Sequence, residues 1–292
     1  MKKDFNKGLL LTSLGSFWWG FIGVLYFEYV AFIGHFELVV HRCLWTALML
    51  ILTTTFLSKW KIFKEIALNK KKLIYLFFSG FLIFINWAVW IYAVATERII
   101  DASFGYFIMP IISVLLGYIF FEEELNKKRV FSIFLVFISI LILIFFNLKS
   151  LPWVGLIVAF SWAFYNLVRK KINVDTDVGL LIESLYILPF ALIAFYIITK
   201  NGFNDFSLKN PALSFFLILA GPMTVIPLFL YVRGVEMIGL GPTGMIFYIT
   251  PTLQFILGYF YYNEEFSVIK FLSFIIIWFA VIIYLKDLYE TN

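Results

Sequence analysis

The sequence predicts an all-α integral membrane protein, with ten transmembrane helices arranged as two inverted five-helix repeats around a central cavity. Three observations lead there: an apolar composition, ten separate apolar runs, and a segment that recurs at a fixed offset. Of the 292 residues, 63% are hydrophobic and only 14% charged, and the mean hydropathy is +0.96. A soluble core does not account for that balance, whereas apolar runs of roughly 20 residues between short polar clusters suit a bilayer.

The first run, Gly8 to Phe27, follows Lys2, Lys3 and Lys7 and is too long for a signal-peptide core, so it reads as a retained span. The second, Leu38 to Leu57, begins just after Glu37, and the third, Leu73 to Val94, follows Lys70-Lys71-Lys72. The fourth, Ser103 to Phe121, ends at Glu122-Glu123-Glu124, and the fifth, Val130 to Phe146, starts after Lys127-Lys128-Arg129. The sixth, Trp153 to Val168, stops at Arg169-Lys170-Lys171. The seventh and eighth are Val178 to Thr199 and Leu213 to Val232. The ninth, Thr243 to Tyr262, ends at Asn263-Glu264-Glu265, and the tenth, Val268 to Leu285, precedes Lys286. Lipid cannot satisfy an exposed backbone amide, and no alternating ten-residue pattern suggests a barrel, so the spans are expected to be helices.

The recurring segment divides the chain. Residues 108–124 and 249–265 share Ile, Pro, Leu, Gly, Tyr, Glu and Glu at matching places, seven identities in seventeen positions at an offset of 141. This points to a duplication with repeats 1–147 and 148–292. Five spans per repeat is an odd number, so the second copy enters the membrane from the opposite side. The basic residues agree: with the N-terminus cytoplasmic, seventeen lie in inner segments and five (Arg98, Lys149, Lys200, Lys209 and Lys270) in outer ones, while Arg42 lies within a span. The expected location is a bacterial inner membrane, multi-pass, with both termini cytoplasmic. The net charge of +5 then belongs to the cytoplasmic rim, and no nucleic-acid partner is expected.

Inverted halves can exchange shapes and so open a central site to one side and then the other, as secondary carriers do. The sequence has no Walker-type loop to power a primary pump. It has no His-Glu-x-x-His or Gly-x-Ser-x-Gly either, so no catalytic residue, metal site or cofactor is expected. Its lone cysteine, Cys43, reads as a small hydrophobe. A passive channel or facilitator is the alternative, and a membrane-embedded enzyme or receptor fits less well.

The chain also carries Gly15-Ser16-Phe17-Trp18-Trp19-Gly20, Glu37 with His41-Arg42 and Trp45, Asn86-Trp87, Ala102 to Ile108, Phe164-Tyr165 with Leu167 to Lys171, Leu181-Ile182-Glu183, and Gly258 to Glu264. Spread over nearly the whole length, these resemble the RarD-type branch of the EamA transporters in the drug/metabolite transporter superfamily. RarD is known as a chloramphenicol-sensitivity protein. The resemblance implies two inverted five-helix repeats and transport of small organic metabolites, amino-acid-like or amphipathic drug-like, but no particular substrate. Two positions depart from the family's usual pattern: Asn166 stands where Gly commonly follows the Tyr, and Met109 where Asn commonly precedes the Pro.

Polar groups within spans are costly and tend to face the bundle interior, which makes them candidates. Trp19, Asn86, Trp87, Tyr106, Tyr165, Asn166, Tyr248 and Gln254 are candidates for a substrate cavity. Glu37, His41, Arg42 and Glu183 are coupling or gate candidates, for protons or another ion. The plainer readings stand beside these: Glu37 as a first-turn acid, His41 as a helix-to-helix hydrogen-bond partner, and Arg42 in a structural ion pair. Pro110 and Pro251 are hinge candidates, each removing an amide donor in mid-span. Gly117 and Gly258 read as close-packing positions, and the Glu123-Glu124 and Glu264-Glu265 pairs as anchors of a loop or of the next helix. The expected partners are the lipid bilayer and a small-molecule substrate; the oligomeric state is left open.

Overall fold

The computed structural model describes residues 2–30, 32–95, 99–147, 153–261 and 268–291. Arg98, Lys149, Tyr262, Asn263, Glu264 and Glu265 lie outside them. Among the described residues there is no strand. The first span is continuous: α1 (Lys2–Phe17) passes through a π-helical turn (Trp18–Ile22) into α2 (Gly23–Tyr29). Then come α3 (His35–Phe56), α4 (Trp60–Ala67), α5 (Lys70–Ala95), α6 (Ile99–Phe121) and α7 (Lys127–Asn147). The remaining helices are α8 (Trp153–Ile172), α9 (Thr176–Lys200), α10 (Pro211–Ile238), α11 (Leu240–Ile246), α12 (Ile249–Phe260) and α13 (Val268–Thr291).

Among the described residues seven helices are long and apolar enough to cross a membrane: Asp4–Tyr29, His35–Phe56, Lys70–Trp90, Lys127–Phe146, Thr176–Lys200, Pro211–Ile238 and Phe271–Thr291. The other three expected spans are helical too but fall outside that set. In α6 the apolar helix is the shorter Gly105–Phe121, α8 closes on Arg169, Lys170 and Lys171, and the ninth is broken. The break corrects a sequence expectation. Instead of one helix from Thr243, the chain turns at Phe247 and Tyr248 between α11 and α12. Pro251 therefore sits in the first turn of α12, where a missing N–H interrupts little, while Pro110 stays within α6. Pro110 deprives Tyr106 of its i+4 donor, and one residue along, the Tyr248 hydroxyl donates to the Phe107 carbonyl at 2.7 Å.

Residues 58–69, between the second and third expected spans, carry a helix that the span assignment did not include. They hold α4, entered through Ser58 at φ 54°, with Ile62, Phe63 and Ile66 packed against Leu73, Leu76 and Val178. Such a helix, apolar on one face and lysine-bearing on the other, suits an interface between lipid and water.

Packing runs mainly between the two halves of the chain. The closest helix pairs are α6 with α8, α1 with α10, α7 with α13, α5 with α8, α3 with α9 and α3 with α10. α11 packs on α6, and α12 on the π-helical turn. Large apolar side chains such as Phe56, Phe145, Phe190 and Phe260 lie exposed on the perimeter. In water that would be unfavourable; in a bilayer those rings meet acyl chains.

Candidate functional site

A cavity of about 640 Å³, part of it continuous with the exterior, lies among α1–α2, α3, α5, α6, α8 and the α11–α12 break. The π-helical turn supplies Trp19, and Thr250 reaches across to that segment, its hydroxyl donating to the Ser16 carbonyl at 2.8 Å. π turns often mark functional positions because they re-aim side chains. Trp19 meets Trp162 edge-on at 5.0 Å and lies 6.2 Å from Phe247. Tyr231 packs against Trp162 at 5.5 Å. Trp19, Trp162 and Phe247 form one wall, with Tyr231 packed against them. Phe27, Trp87, Trp90 and Tyr106 contribute other walls, and Asn86, Thr250 and Gln254 supply polar positions.

Of the cavity candidates, Trp19, Asn86, Trp87, Tyr106 and Gln254 line this space. Tyr165, Asn166 and Tyr248 do not, and each donates a structural hydrogen bond, while the buried Oδ1 of Asn166 has no partner among the described residues. Tyr165, behind Trp162, donates to Glu183 Oε2 at 3.2 Å. Asn166 donates to the Trp162 carbonyl of its own helix at 2.9 Å. Tyr248 makes the bond to Phe107 already described.

The coupling and gate candidates separate. Glu37 and His41 share one face of α3, 3.3 Å apart and buried. Glu37 is a first-turn acid and also accepts the Asp205 amide at 2.7 Å, tying α3 to the α9–α10 loop. His41 accepts from the Trp45 indole at 3.2 Å and lies against Phe195 and Phe206. Arg42 alone of this group lines the cavity.

The expected ion pair of Arg42 is not found among the described residues, where no carboxylate lies within ion-pairing distance of it. Its Nε donates to Thr224 Oγ1 at 2.9 Å, and its guanidinium sits 4.5 Å from the Trp87 ring centre and 5.3 Å from that of Phe27. Asn86 donates to the Val158 carbonyl and to Ser161 Oγ, at 2.9 and 3.1 Å.

Glu183 belongs to a second, smaller space of about 270 Å³, which shares Trp87 with the first. It accepts from Ser79 Oγ at 2.5 Å and faces Arg169 Nη1 at 3.5 Å. Arg169 is wholly buried, donates to the Thr176 carbonyl at 3.0 Å and approaches Glu236 at 3.8 Å. Sequence reasoning passed over Arg169 as one member of a basic cluster. Gly179 held the available signal: a Cβ there would strike the Arg169 guanidinium.

Further ties gather at the same end of the bundle. Lys59 binds Asp175 at 3.1 Å and Asp177 at 2.7 Å. Glu123 accepts from Lys170 at 2.7 Å and from the Leu240 and Gly241 amides, both at 2.8 Å. The anchoring expected of Glu123 is thus to a helix start in the other half of the chain, not to the next helix. The carboxylate also fills the place where a Gly117 side chain would be, so Gly117 makes room for an acid there. No group of His, Cys, Asp or Glu able to hold a metal occurs among the described residues.

Comparison with known proteins places this geometry. The profile of the EamA-like transporter family matches residues 6–145 and again residues 150–286. Protein RarD of Escherichia coli K12 is 32% identical over 290 residues, 99% of this chain and 97% of that one. The uncharacterized transporter YojE of Bacillus subtilis is 32% identical over 282 residues, covering 96% and 93%. The chloramphenicol-sensitive protein RarD of Pseudomonas aeruginosa is 23% identical over 253 residues, covering 85% and 83%. One solved structure superposes with a TM-score of 0.72 over 96% of this chain and 97% of its own, and at 12% identity that likeness concerns the fold alone.

Proposed function

The chain belongs to the EamA-like transporter family and is a multi-pass membrane transporter of RarD type, and from that premise we propose that it is a secondary carrier working by alternating access. It exports or exchanges small organic metabolites, amino-acid-like or amphipathic drug-like, across the inner membrane, with both termini cytoplasmic. Ten helices cross, as repeats 1–147 and 148–292 of opposite orientation. The double family match supports the duplication. So does the packing: α5 on α8 is mirrored by α10 on α1, and α6 on α8 by the broken ninth span on the first, while α3 meets its mate α9 and α7 its mate α13. Each relation is what a pseudo-two-fold axis between repeats would generate.

The observation that carries the reading is the asymmetry of the bundle. The aromatic cavity occupies one half of its length, and the end bearing Lys59, Arg169 and Glu123 is tied by ion pairs. Charge bias assigns that end to the cytoplasm, so this is an outward-facing arrangement. Trp87, shared by both spaces, is the partition, and Pro110 and the break before Pro251 are the hinges. Glu37 with His41 on one side, and Glu183 on the other, are the groups through which protons or another ion would be coupled.

Counterflow in proteoliposomes tests the carrier reading. Unlabelled solute on the far side is expected to accelerate uptake of labelled solute; flux indifferent to it would mean a channel.

A further inference from the structure

Among the described residues Arg42 is a cation without a counter-charge. It is 7% exposed, it faces the cavity, and it directs only Nε to a protein acceptor among the described residues. A buried charge is strongly disfavoured unless it is paired. The Trp87 and Phe27 rings offset part of this through cation–π contact. The terminal amino groups, Nη1 and Nη2, remain uncommitted. Nearby, the Tyr106 hydroxyl and the Gln254 amide line the same space and make no hydrogen bond to described residues. Among the described residues no acidic side chain lines the cavity.

We propose that the cavity binds an organic monoanion whose carboxylate sits on Arg42 and whose flat apolar body stacks among Trp19, Trp87 and Trp162. This rests on the reading of the cavity as the substrate site. One guanidinium balances one negative charge, and its planar donors fit a carboxylate two by two. Bringing the anion in pairs the stranded cation, so a neutral or cationic analogue of the same shape forgoes that gain. Selectivity for charge is then set by one residue, and selectivity for shape by the rings.

The test uses the full-length purified protein and three probes of one shape: phenylacetate, phenylacetamide and phenethylamine, with binding read by quenching of tryptophan fluorescence. Phenylacetate is expected to bind at least about tenfold more tightly than the amide, the scale of a charge-assisted hydrogen bond. Arg42→Gln should bring the two within about threefold, a difference smaller than one such bond. Arg42→Lys, which keeps the charge, should retain part of the preference, and it guards against a Gln variant that fails to fold. Amide or amine binding as tight as the acid, yet abolished by Trp87→Ala, overturns the anion and leaves the cavity as the substrate site. Acid binding unchanged in Arg42→Gln also overturns the proposal. Failure of all three probes to bind overturns both it and the substrate-site reading.

Discussion

At the scale of single residues, Gly179 and Arg169 give the sharpest expectation. Arg169 reaches Glu183 only by passing through the space a Gly179 side chain would fill. Gly179→Ala should therefore cost about 1–3 kcal/mol, the usual range for overpacking. In an Arg169→Met background, where the guanidinium is gone, the same change should cost much less. A double-variant cycle of thermal unfolding measures the difference; additive effects would show that Arg169 is not what the methyl group meets. How legible such residues were depended on what their polar atoms do. Asn86, Trp87, Tyr106 and Gln254 could be picked as polar or amphipathic groups within spans, and they do line the cavity. Tyr165, Asn166 and Tyr248 have the same chemical character but lie away from it, donating to carbonyls and a carboxylate of the bundle, much as Asn86 does from the cavity wall. Composition does not tell which polar side chain of a span faces the cavity. Arg42 shows the converse, because an ion pair was the natural expectation and among the described residues no acid stands near enough to make it.

At the scale of elements, the long apolar helices were readable and the interruptions were not. The ninth run is apolar throughout, yet it divides at Phe247 and Tyr248, since hydropathy records side chains and not where the amide ladder stops. Gly239, Gly241, Pro242 and Gly244 close together were the available sign. Gly239 takes φ 94° and ψ 174°, an extended positive-φ conformation open essentially to glycine, which ends α10, and α11 then starts on the carboxylate of Glu123. Because that acid satisfies two amides and meets Lys170, Glu123→Ala should lower stability by about 1–2 kcal/mol, as loss of a helix cap does. Glu123→Gln, which keeps one acceptor, should lose less. Denaturation in mild detergent resolves the order, and an alanine variant as stable as the parent would remove the acid from this role. The π-helical turn is a similar case: nothing in Trp18 to Ile22 announces it, and the contact from Thr250, far along the chain, accompanies it.

At the scale of the whole molecule, composition and lysine placement conveyed a polytopic protein, whereas the pairing of helices across its halves did not follow from them. In lipid there is no hydrophobic drive between helices, so pairing depends on small residues and polar ties that a hydropathy profile does not order. One such tie, Lys59 with Asp175 and Asp177, joins the end of the second span to the start of the seventh. Burial alone would lower the Lys59 pKa, but its bonds to Asp177 and Asp175 prevail and hold it above the ordinary lysine value. Burial likewise opposes ionisation of Asp175, yet bonds involving Asp177, Lys59 and the Val178 amide hold it below the ordinary aspartate value. A raised lysine stabilises the fold fully below its unfolded pKa and stops doing so as pH rises through the folded one. A depressed aspartate stabilises it above its unfolded pKa and stops doing so as pH falls through the folded one. The Lys59–Asp175 tie therefore persists between about pH 5 and 9, so it can act as a latch across that range. Lys59→Ala should make the acid limb of the stability profile shallower, because Asp175 then gains less from ionising in the folded state. It should also loosen that end of the bundle. With Cys43 replaced by Ser and Ser184, beside Glu183 in the second space, replaced by Cys, a membrane-impermeant thiol reagent applied from the N-terminal side should label the Lys59→Ala protein faster than its parent. Equal labelling would mean that the latch does not hold this end shut, and that the buried Arg169, Glu183 and Tyr165 cluster beneath Trp162 is the barrier instead.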